Sequence, residues 1–304
     1  MSDLSNTIYS YYLGHFSELP FEAQFHFASR LQSWAQDGEA TKRVAQLVAE
    51  TRPEHPKDEL RSLLQIRPNA NNNMGFWDRR KLYFDTYPDV YGLELALFQL
   101  LNWEKYYGIT VPEVLLELIG SETAQELTAT LAKDENALAN LSTYAVNTLY
   151  LAKRLLLGED DLPFALATIQ ALPYVQTNPE DMILLTYFVT HCVLAETLFY
   201  DRSIPVAHLP YYQSLLAYVD QTIGDSWQQL SLDAQLELVV ASKLAGYAYP
   251  YTSNILDNAA NYYNATDGFL VDPTRPTKNT AAAAEHRNVL FIMASTPTNL
   301  APTT

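Results

Sequence analysis

Asn178–Arg202 reads NPEDMILLTYFVTHCVLAETLFYDR, and this stretch decides the fold. Its apolar residues fall on every side of a helix rather than along one stripe, and such a helix must be wrapped by other elements. Three polar or reactive side chains, His191, Cys192 and Glu196, lie inside the run. Interior chemistry, if the chain has any, is expected on this helix. Its start is well marked: Asn178 offers a capping oxygen, Pro179 lacks an N–H where none is needed, and Glu180 and Asp181 put negative charge at the positive end of the helix dipole. Met182–Tyr200 has the length of a membrane span. Thr186, Thr190, His191 and Glu196 interrupt it and no basic cluster flanks it, so a buried helix and no membrane partner are expected.

Helical periodicity continues on both sides. Val90, Leu93, Leu97 and Leu100 form one stripe; Leu138, Leu141, Ala145, Leu149, Ala152 and Leu156 a second; Leu232, Leu236, Val240, Leu244 and Tyr247 a third. No segment alternates with a period of two. Pro20, Pro56, Pro88, Pro112, Pro163, Pro179, Pro210 and Pro250 each stand where a new helical pattern begins. Fifteen helical spans follow, among them 77–86, 88–107, 135–157, 179–201, 226–248 and 279–295. The long apolar spans recur about every 45 residues, the spacing of inner and outer helices in repeat architectures. The expectation is an all-α protein, an α/α toroid or helical solenoid of about 12–15 helices with no significant sheet. The asparagine-rich stretch near residues 71–73 suggests a boundary, giving an N-terminal helical subdomain at 1–75, a main helical domain at 76–295 and a polar tail at 296–304.

Composition narrows the partners. The chain has 304 residues with 19 Lys and Arg against 35 Asp and Glu, a formal charge of -16. A field of that sign repels phosphate backbones and anionic headgroups, so nucleic acid is excluded as an expected partner. Cys192 is the one cysteine, which rules out an internal disulfide. The opening MSDLSNTIYSYYLGHF has neither a basic region nor an apolar core. A cytoplasmic setting is expected from the two together.

On a helix, Tyr187 and His191 share one face while Cys192, Glu196 and Tyr200 share the adjacent one. A histidine near neutral pKa and a carboxylate lifted by burial supply a general base and acid, so His191 and Glu196 are the catalytic candidates. The alternative reading makes His191 a hydrogen-bonded core histidine and pairs Glu196 with an arginine from another helix. Asp85, Trp103, Asp201 and Arg202, near helix ends, are the candidates for contacting a ligand, together with Tyr187 and Tyr200 from the two faces of the central helix. Adjacent His191 and Cys192 point about 100° apart, and no second Cys or His stands at ligand spacing. No metal and no cofactor are expected. No glycine-rich phosphate loop, nucleophile elbow or zinc-helix signature occurs.

The segment from Thr190, His191 and Cys192 to Thr197, with its apolar surroundings, resembles the threonine–histidine helix of poorly characterised α/α-toroid-like bacterial proteins. That resemblance covers about 15 residues and implies the toroid but no activity. Lanthionine-forming cyclases share the toroid, and their zinc site resembles a set of two cysteines and one histidine that a chain with only Cys192 does not supply.

Tyrosine occurs 21 times, often doubled, as at Tyr11–Tyr12 and Tyr262–Tyr263. Its amphipathic ring suits a ligand cavity or a protein interface. The functional expectation is a cytoplasmic helical protein that binds a small molecule or peptide in a tyrosine-lined interior and acts on it by acid–base chemistry. The alternative is a non-catalytic interaction module or a scaffold that self-associates as a homodimer.

Overall fold

A computed structural model describes residues 3–69, 76–272 and 279–302. Among them are sixteen α-helices and one two-stranded hairpin, so the chain is all-α, as its periodicity predicts. The boundary read at residue 75, the asparagine run before it and the second half of the 267–278 connection lie outside the described residues. The chain divides into two compact units, Met1–Thr51 with Tyr200–Thr304, and Arg52–Phe199.

The first unit contains α1 (Asp3–Gly14), α2 (Phe21–Ala35) and α3 (Gly38–Glu50), then α13 (Leu209–Ile223), α14 (Leu232–Ala245), α15 (Thr252–Ala260) and α16 (Ala281–Ser295). Helix α16 packs against α1, α2 and α14, and ten of its residues from Ala284 to Ala294 are buried. The span read at 226–248 is shorter than expected: a 3-10 turn covers Gly224–Gln229, and α14 starts only after Ser231, whose hydroxyl caps the Ala234 N–H. Between α15 and α16 a short hairpin pairs Tyr263–Asn264 (β1) with Phe269–Leu270 (β2) in antiparallel register. Buried Asn288 holds it, accepting from the Leu270 N–H at 2.8 Å and donating to the Leu270 carbonyl at 3.2 Å. Beyond α16, Thr298 donates to the Trp34 carbonyl at 2.9 Å.

The second unit runs through α4 (Pro56–Leu64), α5 (Trp77–Thr86), α6 (Val90–Asn102), α7 (Pro112–Ile119), α8 (Ser121–Leu131), α9 (Glu135–Leu141), α10 (Thr143–Leu151), α11 (Leu166–Gln170) and α12 (Pro179–Glu196). The span read as one helix at 135–157 breaks at Ser142, which takes φ 50° and donates its buried hydroxyl to the Leu184 carbonyl at 2.8 Å. Helix α10 packs on both α6 and α12. Helices α6 and α10 each end in a π-helical turn, Trp103–Tyr107 and Ala152–Leu157, closed by left-handed Gly108 and Gly158. Gly92 is required where α6 meets the end of α4: a Cβ there would stand 2.8 Å from the Leu64 carbonyl oxygen.

Thirteen of the eighteen residues of α12 are buried, which is the enclosure its all-round apolar sequence demands. Asn178 caps it, accepting from the Glu180 N–H at 2.9 Å. The helix stops at Glu196 rather than 201. Leu198, Phe199 and Tyr200 then take φ values of 49°, 52° and 72°, a left-handed run that bulky residues rarely adopt.

Candidate functional site

In the second unit, three helices bring a carboxyl, an amide and an imidazole into one chain. Glu94 lies on α6, Asn147 on α10 and His191 on α12. The Asn147 amide donates from Nδ2 to Glu94 Oε1 at 2.7 Å, and its Oδ1 lies 2.8 Å from His191 Nδ1. Because that oxygen only accepts, the imidazole carries its proton on Nδ1, and Nε2 is the acceptor nitrogen of the neutral ring. Glu94 and Asn147 are buried while His191 is half-buried. Burial pushes the Glu94 carboxyl up to about 7, outweighing the Asn147 hydrogen bond and the attraction of Arg80. Arg80, from α5, donates to the Asn140 carbonyl at 3.2 Å and lies 4.9 Å from the centre of the Tyr144 ring. Tyr91 and Tyr144 flank the same carboxyl, and burial raises the pKa of both phenols.

Glu196, at the last turn of α12, has a different environment. Its carboxylate accepts from Arg154 Nη2 at 2.7 Å, and Arg154 also bonds Asp160. Arg154 sits in the π-helical turn that ends α10. Side-chain exposure is 6% for Arg154 and 0% for Glu196, so this is a buried ion pair rather than a surface one. His191 thus meets Asn147 while Glu196 meets Arg154.

The other residues picked from the sequence scatter. Tyr187 is half-buried, one turn before His191 on α12; Asp85 is exposed at the end of α5. Trp103 is 1% exposed and packs in the apolar cluster of Leu97, Leu100, Leu115 and Leu156. These three belong to the second unit with His191 and Glu196, whereas Tyr200, Asp201 and Arg202 belong to the first. Tyr200 is buried with the Arg30 guanidinium 5.0 Å from its ring centre and the Trp34 ring edge-on at 6.1 Å. Asp201 is exposed and Arg202 half-buried.

The first unit has its own carboxyl–imidazole cluster. His26 Nδ1 lies 2.7 Å from Glu285 Oε2, and Arg30 Nε donates to His26 Nε2 at 2.6 Å. Both ring nitrogens of His26 are thus engaged, with Nδ1 as the donor. Burial pushes Glu285 up to about 8 and holds His26 well below the usual histidine range. The imidazole beside His286 is that of His26, at 5.3 Å between ring centres, and the carboxylate of buried Glu237 lies 4.0 Å from its Nε2.

Glu94, Asn147, His26, Glu237 and Glu285 were not picked from the sequence. The signal was present, since Glu94 sits in VYGLELALFQLL and Glu237 in LELVVASKLA. Both are polar letters inside helices apolar all round, the same cue that singled out α12.

Among the described residues, no group of three or more His, Cys, Asp or Glu is placed to hold a metal ion, and no helix is long and apolar enough to cross a membrane. Comparison with protein-family models, curated proteins and solved structures found no match to this chain.

Proposed function

We propose that this chain is a cytoplasmic helical protein that binds a small molecule or peptide, with an acid–base centre at Glu94, Asn147 and His191. The observation that carries the reading is the hydrogen-bonded chain across α6, α10 and α12. In it Asn147 fixes the tautomer of His191, so that Nε2 is the basic nitrogen, while Glu94 sits at a protonation midpoint near neutral pH. A carboxyl with that midpoint, linked through an amide to an imidazole whose tautomer is fixed, is suited to taking a proton from a bound ligand and returning it. Tyr187, one turn away on the same face of α12, contributes an aromatic wall with a hydroxyl. Glu196 is held by Arg154 and takes a structural part in this reading. The helical-repeat architecture expected from the long apolar spans belongs to the same proposal. Its support is the packing of α6 and α12 on either side of α10, and of α2 and α14 against α16.

The test is a ligand screen by thermal shift, followed by Glu94→Gln and His191→Ala. A ligand that binds the native state raises the melting temperature of the wild type. In folded variants the reading expects that response, or turnover of the ligand, to fall at least about tenfold, which corresponds to about 1.4 kcal/mol. Unchanged affinity and turnover in both variants would remove this cluster from the function.

A further inference from the structure

The end of α15 and the hairpin that follows it border an open surface cleft in the first unit, remote in chemistry from the acid–base centre. Its volume is about 620 Å³, within the usual range of small-ligand sites, and Asn258, Asn261, Tyr262, Tyr263, Asn264 and Thr266 supply its polar lining. Among the described residues, no charged side chain lines it. The walls are firmly held. Asn264 Oδ1 accepts from the Thr266 N–H at 2.9 Å, its Nδ2 donates to Asp267 at 2.6 Å, and Asn288 pins β2 from behind.

What the walls leave open defines the ligand. No hydrogen bond occupies the side chains of Asn261, Tyr262 or Tyr263 among the described residues. Asn258 commits its Nδ2 to Gln235 at 3.1 Å, which leaves its Oδ1 as an acceptor. The phenols and amides among the lining residues carry both donors and acceptors. The half-buried rings of Tyr262 and Tyr263 add apolar faces. An anion would meet no cation in this lining and the repulsion of a chain at -16. Among the described lining residues a cation would meet no carboxylate, and Asp267 beside the wall is engaged by Asn264. A neutral molecule carrying many hydroxyls and a flat face of C–H groups satisfies all of these groups at once.

We infer that this cleft is a binding site for a neutral saccharide of two or three rings. Its recognition relies on the two tyrosine faces and on the amides of Asn258 and Asn261. The site is independent of the Glu94 centre, so its failure leaves that reading standing, and the reverse holds.

Titrating the full chain by calorimetry and NMR with maltotriose, cellotriose and chitotriose, and with glucose 6-phosphate and trialanine as charged and peptide comparators, tests this. The expected result is binding of at least one trisaccharide in the micromolar to millimolar range, weakened about tenfold or more by Tyr262→Ala or Tyr263→Ala. Tyr262→Phe and Tyr263→Phe keep the ring and should lose less. Unchanged melting temperatures show that these variants fold. No trisaccharide binding up to about 10 mM, binding that neither alanine variant weakens, or binding of the comparators alone would overturn the inference.

Discussion

Both units bury a carboxyl near an imidazole, and they differ in what stands between and beyond the two groups. In the first unit the Glu285 carboxyl meets His26 directly and Arg30 takes the opposite ring nitrogen. In the second unit a neutral amide, Asn147, separates Glu94 from His191. The difference teaches that burial alone does not make a reactive group. His26 has both nitrogens committed, so it serves to join a guanidinium to a carboxyl. At His191 an amide oxygen rather than a carboxylate fixes Nδ1 as the donor, which makes Nε2 the acceptor nitrogen of the neutral ring. A parallel contrast lies within the second unit. Glu196 has a guanidinium partner and forms an ion pair, whereas Glu94 has mainly an amide and is pushed up to about 7 by burial.

The strongest way to break this contrast is at Arg154. Replacing it as Arg154→Met leaves the carboxylate of Glu196, 0% exposed at its side chain, without its guanidinium. Removing one partner of a buried pair costs about 3–5 kcal/mol, measurable as a shift in urea midpoint. The double change Arg154→Met with Glu196→Leu should recover much of that loss, because two apolar groups can replace a buried pair at little net cost. A single-variant loss under about 1 kcal/mol, the range of exposed pairs, would place Glu196 in a wetter setting than its burial indicates.

A somewhat smaller effect comes from pH. The Glu94 carboxyl titrates near 4.5 in the unfolded chain and at about 7 when folded, so the folded state binds the extra proton between those values. Its stabilising contribution is therefore present below pH 4.5 and lost as pH rises through 7. The difference in stability between the wild type and Glu94→Gln should change by on the order of 3 kcal/mol between pH 4.5 and 8, because each tenfold change in proton affinity is worth about 1.4 kcal/mol. In the first unit the corresponding slopes oppose each other. Glu285 is raised and favours folding at lower pH, while His26 is lowered and disfavours it there. Glu94→Gln should accordingly remove a carboxyl contribution that no neighbouring imidazole opposes, whereas Glu285→Gln should change the slope at least as much and leave the opposite contribution of His26 uncancelled. Denaturation curves of Glu285→Gln that lack the His26 contribution would erase the distinction between the units.

The all-α class was legible because helical periodicity and proline punctuation are local signals. Helix α12 was legible because an apolar surface on every side has no other stable use. What escaped was long-range. Ser142 is an ordinary residue in the sequence, yet its hydroxyl bond to Leu184 breaks a span of continuous periodicity into α9 and α10. His191 was found as one of a few polar residues in an apolar helix, but its partner Asn147 lies 44 positions away and Glu94 a further 53. Spacing along one helix joined His191 to Glu196, and packing between helices gave each a different partner. Trp103 shows the converse, since an aromatic near a helix end reads equally as a cavity wall or as core, and only its burial assigns it to core.

The central claim is that the Glu94 carboxyl, bonded through Asn147 to His191, holds its proton up to neutral pH in the folded protein. A side-chain carbon NMR titration of selectively labelled glutamate, assigned to Glu94 by comparison with Glu94→Gln, measures this directly. A midpoint near 7, accompanied by an Nδ1–H tautomer at His191, is the predicted result. A midpoint at the ordinary carboxylate value of 4.5, or a proton on Nε2 of the neutral ring, would contradict it.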